Sequence, residues 1–584
     1  LFEAIPLASM NTSMTINATA PWLMALYIAV ADEQGAPRRE LQGTTQNDII
    51  KEYLARGTYV FPPDSSLRLT KDLILFSSRE TPKWNPMNVC SYHLQEAGAT
   101  PVQELSYALA TAIAVLDRVR ASGEVDEGGF AEVVGRMSFF VNAGMRFITE
   151  LAKMRAFVEL WDEITRDRFG VKDPAKRRFR YGVQVNSLGL TEQQPENNAY
   201  RILIEMLSVV LSKNARARAV QLPAWNEALG LPRPFDQQWS LRLQQIMAYE
   251  TDLLEFGDIF DGANEIAALV ATLKREARDE IAAIDAIGGA VKAIESGVLK
   301  AKLVESNMRR LEAIERGEQI VVGVNAFTNS EPSPLLSGEK SIMIPSPKAE
   351  AEQIARLKAW REGRDEKQAR AALKSLRMAA ATGANVMPAS IEAAKAGVTT
   401  GEWGDALRAE FGEFRAPTGV SPRARQAAAG LDKLRGEVER VSMKLGRRIK
   451  FVIGKPGLDG HSNGAEQIAS RATDAGMDVV YEGIRLTPAE IVERARAGAH
   501  CIGLSILSGS HVALTEEVLA KMRASGLERV PLFVGGIIPP ADAERLKAAG
   551  AAGVYTPKDF EINEMLAKII AEVEARHDRE ALPA

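Results

Sequence analysis

Asp459-Gly460-His461-Ser462-Asn463-Gly464 reads D-x-H-x-x-G, placed between the apolar run "FVIG" and a stretch with helical periodicity. An imidazole at the end of a strand can ligate a metal through one ring nitrogen. A nearby carboxylate then accepts a hydrogen bond from the other nitrogen, fixing the tautomer and raising ligand basicity. The same loop also suits a solvated histidine with a helix-capping neighbour. Two further strand ends favour a ligand. "CIGLSIL" closes on Ser505-Ile506-Leu507 and "LFVGG" on Gly535-Gly536. Small residues at adjacent strand ends leave a long, narrow slot, suited to a phosphate- or sugar-sized group on a ligand tail. In the first 460 residues the only histidine is His93, in "SYHLQEAGA". The pattern sets it at the C-terminal end of a strand, where a barrel places its chemistry; a buried core histidine is the alternative.

The elements that must hold these residues fall into two groups. Up to about residue 275, strand-like runs ("SMTIN", "GTTQND", "NVCSYHL", "MSFF", "YGVQVNS", "RAVQLP") alternate with amphipathic helices. Such units without hairpin turns predict a parallel sheet, and so many in sequence favour a (β/α)₈ TIM-type barrel over a doubly wound sheet. A helical region ends in "IVVGVNAF". Segments such as "SEPSPLLSGEK", "PSPKAE" and "APTGVSPRA" then enclose one Arg/Lys/Ala-rich helix, a connector expected to lie over the surface of both domains. From residue 446, "RIKFVIG", "MDVVYEG", "HCIGLSIL", "VPLFVGG" and "GVYT" each precede a helix, which predicts a flavodoxin-like doubly wound domain. The expected division is 1–330, 331–445 and 446–584.

Composition narrows the function. Formal charge is −4, without a block of like charges, which argues against a nucleic-acid or membrane-surface partner. Cys90 and Cys501 stand far apart and suggest neither a disulfide framework nor a CxxC metal site, so a cytoplasmic setting is expected. No apolar run reaches the roughly 18 residues that span a bilayer. "APWLMALYIAVA" reads as a buried helix. The chain opens on "LFEAIPLASMN", without an initiator Met or a charged signal region, and is expected to be a fragment.

The D-x-H-x-x-G, S-x-L and G-G motifs, in this order, resemble the cobalamin-binding domain. The resemblance implies that His461 replaces the cofactor's own base as lower cobalt ligand. Asp459 is its hydrogen-bond partner and Lys455 the outer member of the relay. Gly460 and Gly464 belong to the loop, and Ser505, Leu507, Gly535 and Gly536 line the pocket of the displaced nucleotide tail. The rest of the chain is similar to the methylmalonyl-CoA mutase family through "GTTQNDIIKEYLARGTY", "YHLQEAGAT", "SLGLTEQQPENN" and "EALGLP". That likeness implies adenosylcobalamin as cofactor, an acyl-CoA substrate, radical carbon-skeleton isomerisation and a homodimer. By it His93 donates to the thioester carbonyl, Arg56 pairs with the free carboxylate, and Gln46 and Tyr92 orient the acyl group. Ser13, Thr15, Thr44, Asn85, Arg136 and Ser138 match positions along the CoA chain. "NVCSYHLQEAGATPVQEL" and "NARARAVQLPAWNEALGLPRPFDQQW" resemble the ethylmalonyl-CoA branch, with Gln221 where the methylmalonyl branch has a histidine. Methylmalonyl-CoA and a non-catalytic corrinoid carrier or sensor are the alternatives. The family's CoA-wrapping segment, first barrel strand and a tyrosine that assists cobalt–carbon cleavage are expected to precede residue 1, which would leave the chain as given inactive.

Overall fold

The computed structural model describes residues 1–331, 333, 348–420, 430–559 and 561–581. The chain is α/β, and every strand pairing among the described residues is parallel. In the first part, β1 (Asn11–Met14), β2 (Gln42–Thr45) and β3 (Trp84–Asn85) form one sheet. β4 (Asn88–Cys90), β5 (Ser138–Ala143), β6 (Tyr181–Val185) and β7 (Val220–Gln221) form the next. Pro86 separates β3 from β4, and the Asn88 amide still donates to Gln46 O at 2.9 Å, so the two sheets run on as one arc. All six predicted strand runs lie on that arc. Alternation decides its faces. Trp84 and Thr45 face outward, the indole donating to Thr45 Oγ1 at 2.7 Å, while Ser13, Thr44 and Asn85 stand in register on the inner face.

One expected strand end is a helix. "YHLQE" folds as Tyr92–Glu96 directly after β4, because the chain turns at Ser91 and closes the turn on Gly98 at φ +97°. The connector differs more. Its segments 334–347 and 421–429 lie outside the described residues. Between them the structure holds four helices instead of one: Lys348–Gly363, Glu366–Thr382, Val386–Lys395 and Thr400–Phe411. The last three share a core with Ala20–Glu33 and Pro63–Glu80. Trp403 stacks on Trp22 at 5.9 Å, Trp22 Nε1 donates to Thr400 Oγ1 at 3.0 Å, and Arg68 donates to Ala380 O at 2.6 Å. Alanines let these helices approach closely, so a composition that reads as a solvated helix supports a packed one.

The last part is a five-stranded sheet of β8 (Lys450–Gly454), β9 (Asp478–Tyr481), β10 (Cys501–Ser505), β11 (Leu532–Gly535) and β12 (Gly553–Tyr555). Its spatial order is β12-β11-β10-β8-β9. Strand order reverses between β8 and β10, so a crevice opens beyond their C-terminal ends. The loop carrying His461 follows β8, and Leu507 follows β10.

Trp403→Ala should lower the stability of the N-terminal domain by about 3–5 kcal/mol, the usual loss for a fully buried aromatic. Denaturant unfolding followed by hydrogen exchange should localise the loss there and leave residues 449–559 unaffected. A loss within about 0.5 kcal/mol would mark residues 366–411 as a surface connector.

Candidate functional site

His461 leaves β8 through a loop that a buried ion pair holds in shape. Lys455 and the Asp459 side chain are almost wholly buried, with Lys455 Nζ 3.1 Å from Asp459 Oδ2 and donating at 2.8 Å to Ser505 O. Asp459 Oδ2 also accepts from the Leu507 amide at 2.7 Å. Its Oδ1 accepts from the His461 amide at 3.0 Å and lies 2.9 Å from His461 Nδ1. Burial alone would raise the Asp459 carboxyl. The His461 hydrogen bond, the Lys455 ammonium and the two amides outweigh it and hold the group well below the usual carboxylate range. Burial pulls the Lys455 ammonium below its usual value even so.

The other imidazole nitrogen, Nε2, stands 3.4 Å from Arg56 NH1 on the other domain. A guanidinium only donates, so Nε2 presents its lone pair and the Nδ1 proton goes to Asp459. That is the tautomer a metal-ligating histidine requires. The slot beyond is equally suited to a ligand tail. A Cβ on Gly464 would project toward Ser505 Oγ, 3.9 Å away, and one on Gly535 would meet only Leu504 O at 3.8 Å. Gly536, at φ +158°, lies so close to the Ile506 carbonyl that a Cβ would stand 1.9 Å from it. The donor set and the glycine-lined slot fit a corrinoid with its base displaced.

Arg56 ends the wide helical turn Glu52–Arg56, which Gly57 terminates in the left-handed region at φ +61°. Its guanidinium is half-buried and 3.8 Å from Glu96. His93 is buried, its Nδ1 3.6 Å from Cys90 Sγ and its ring 3.7 Å from the Tyr92 ring centre. Burial, then the cations Lys51 and Arg56, push His93 well below the ordinary imidazole value, so it is neutral near pH 7. Gln46 is buried, and its Oε1 accepts from Lys51 Nζ at 2.5 Å. Lys51 and Glu96 were not among the sequence-predicted residues. Nor was Glu227, whose carboxyl burial and Glu96 push up to about 7. "EALGLP" marked its position but nothing local marked its burial.

A cavity of about 2460 Å³ runs between the domains and is lined by Arg56, Tyr92, His461, Ser505 and Gly536 together. Gly464, Leu507 and Gly535 also line it. Gln46 and His93 do not, nor do Ser13, Thr15, Thr44, Asn85, Arg136 and Ser138. The last six lie on or beside β1 to β5, with Thr15 just past β1 and Arg136 ending the helix Glu127–Arg136; Asn85 Nδ2 donates to Thr44 Oγ1 at 3.1 Å, Asn88 Nδ2 to Ser138 Oγ at 2.9 Å and Arg136 to Lys83 O at 3.4 Å.

The methylmalonyl-CoA mutase family model matches residues 1–413 and the B12 binding domain model residues 449–559. Ethylmalonyl-CoA mutase of Cereibacter sphaeroides is 64% identical over 585 residues, covering 100% of this chain and 88% of that protein. Its namesake from Methylorubrum extorquens is 64% identical over 582 residues, covering 100% of this chain and 84% of that protein. Methylmalonyl-CoA mutase of Escherichia coli is 35% identical over 569 residues, covering 95% and 78%.

The depressed Asp459 carboxyl makes a signed prediction. Its contribution to stability is fully present above its unfolded value near pH 4 and is lost as pH falls through the lower folded value. Thermal melting of the cofactor-side domain should therefore fall more steeply below about pH 4 in the unsubstituted chain than in Asp459→Asn. Parallel acid limbs would contradict an ionised carboxylate there. Asp459→Ala should cost about 3–5 kcal/mol at pH 7, since Lys455 is left buried without its partner.

Proposed function

The chain belongs to the methylmalonyl-CoA mutase family, and on that premise we propose that it converts (2R)-ethylmalonyl-CoA to (2S)-methylsuccinyl-CoA. It is an adenosylcobalamin-dependent acyl-CoA mutase. The 64% identity along the whole chain to relatives named for ethylmalonyl-CoA, against 35% to one named for methylmalonyl-CoA, supports the choice of substrate. One observation carries the proposal: Arg56 and Tyr92 line the same cavity as His461, Ser505 and Gly536. An anionic acyl group and a corrinoid would therefore meet face to face.

Adenosylcobalamin, when bound, supplies radical hydrogen-atom abstraction; the residues hold the substrate and exclude water from it. The Arg56 guanidinium offers a planar fork to the free carboxylate of the substrate. His93 donates a ring N–H to the thioester carbonyl and, being neutral, polarises it without bringing a charge of its own. Lys51 occupies the Gln46 carbonyl oxygen, which leaves the amide N–H groups of Gln46 to orient the acyl group beside Tyr92. Ser13, Thr15, Thr44, Asn85, Arg136 and Ser138 mark the path of the CoA chain along the inner face of a TIM-type barrel. On the other side His461 is the cobalt ligand, braced by Asp459 and Lys455 in the loop with Gly460. Gly464, Ser505, Leu507, Gly535 and Gly536 receive the nucleotide tail. A cytoplasmic homodimer without nucleic-acid or membrane partners completes the proposal. Among the described residues no helix is long and apolar enough to cross a membrane.

The direct test is turnover of ethylmalonyl-CoA beside methylmalonyl-CoA, with a higher kcat/KM expected for the former; equal or reversed values would overturn the choice of substrate. Arg56→Lys should raise KM and lower kcat with a dicarboxylic acyl-CoA, because an ammonium cannot reproduce the fork. His93→Ala should leave cobalamin affinity within about threefold while turnover falls by roughly 10²–10³, the usual cost of one lost polar stabiliser. Unchanged turnover would make His93 a core residue.

A further inference from the structure

Helix Val298–Glu315 lies along the seam between the two domains and touches three loops of the site. Midway, Ser306 Oγ donates to Gly98 O at 2.6 Å, on the turn that closes the helix bearing His93. Gly98 packs against this helix so tightly that a Cβ would fall 2.3 Å from Asn307 Cβ. Toward the C-terminal end, Glu315 and Glu312 lie 3.1 and 3.7 Å from the fully buried Arg471 of the cofactor-side domain. At the other end stands Lys300, 7% exposed. Its ammonium donates to Leu54 O at 2.9 Å and Ser462 Oγ at 3.3 Å, and pairs with Glu466 Oε1 at 2.7 Å.

Three donors meet three acceptors, so the buried cation is fully satisfied. What matters is where those acceptors sit. Leu54 belongs to the same helical turn as Arg56, two residues before it. Ser462 directly follows His461, and Glu466 lies in the helix that follows. The ammonium is therefore a single node between the backbone that carries Arg56 and the loop that carries His461. Charge-assisted hydrogen bonds away from water are strong and directional, so displacement of one arm is felt by the other.

We propose that Lys300 is a positioning residue that couples occupancy of the acyl-CoA site to occupancy of the corrinoid site. Lys300 does not line the cavity. A carboxylate drawn onto Arg56 settles the Glu52–Arg56 turn, Lys300 holds Leu54 O and Ser462 in fixed relation, and the His461 loop is thereby stabilised in its ligating position. This rests on the function proposed above. Coupling of this kind is reciprocal, and factors of about 5–150 are typical.

The test is linkage rather than turnover. Hydroxocobalamin affinity, titrated by visible absorption, should be at least about fivefold tighter with saturating ethylmalonyl-CoA than without it. Lys300→Met combined with Glu466→Gln removes the node without stranding a buried carboxylate. In that variant the coupling factor should fall to within about twofold of unity, while each ligand alone binds within about threefold of the unsubstituted protein. Ser462→Ala removes a single hydrogen bond and leaves no unpaired charge, so it should lower the factor part of the way; if the double variant does not fold, this one decides alone. Undiminished coupling in the deciding variant overturns the proposal, as does binding of both ligands to the unsubstituted protein without coupling. Failure of ethylmalonyl-CoA to bind at all would instead overturn the functional proposal, and this inference with it.

Discussion

The His461 loop meets the Arg56 turn backbone to backbone at Gly460. A Cβ on Gly460 would stand 2.3 Å from the Arg56 carbonyl oxygen, and one on Gly57 2.1 Å from Ile484 Cδ1. Glycine is required at Gly460 because the Arg56 backbone lies against it, and at Gly57 because the chain there adopts a left-handed conformation. The rest of the seam follows from this approach. Arg485 lies over the Tyr59 ring at 4.7 Å, the Tyr59 hydroxyl accepts from the Ala416 amide at 2.8 Å, and Asn463 Nδ2 donates to Glu96 O at 2.6 Å. With the backbones this close, Arg56 and His461 come within 3.4 Å although they are on different domains.

Buried charge is spent on position in this fold. Lys51, Lys300 and Lys455 are all buried, and each ammonium meets partners on loops of the site. Lys153 is buried too, deeper in the first domain, where its pairs with Glu104 at 2.5 Å and with Glu150 tie two helices instead of loops. Such pairs add little net stability over apolar side chains of like size, since desolvation offsets most of the attraction. Losing one partner is expensive, however, so each pair fixes where its loop must lie. Hydrophobic packing holds the domains together as solids, and the buried ion pairs set the register of the loops between them.

The sequence makes some of this legible and conceals the rest, for a physical reason. Strand periodicity found six of the seven strands of the arc, missing the two-residue β3, and all five of the second sheet, because alternation and apolar runs are local properties. The Asp459–His461 loop was legible because both partners lie within a few residues of each other. His93 was expected at the C-terminal end of a strand and lies in the short helix that follows it, since nothing local announces that "YHLQE" closes as a helix. The helices at 366–411 were taken for a connector because their partners, Trp22 and Arg68, lie more than three hundred residues earlier. Lys300 gave no signal at all: one lysine in a charged helix looks solvated until Leu54 and Ser462, 246 and 162 residues away, are brought to it.

Two histidines in this site differ only in surroundings, and the surroundings divide the work between them. His461 has a carboxylate on one nitrogen, a cation on the other and its side chain half open to the cavity. Its lone pair is thus directed outward and its proton is tied inward, as a ligand to a metal needs. His93 is enclosed, has no carboxylate partner and faces the positive charge of Lys51 and Arg56. Burial disfavours the imidazolium first and the nearby cations add to it, so the ring stays neutral. A neutral ring can donate one hydrogen bond to a carbonyl while leaving the substrate carboxylate to Arg56 alone. In the proposed reaction that separation matters. A charged His93 would compete with Arg56 for the carboxylate and misplace the acyl group, whereas a neutral one leaves the carboxylate to Arg56.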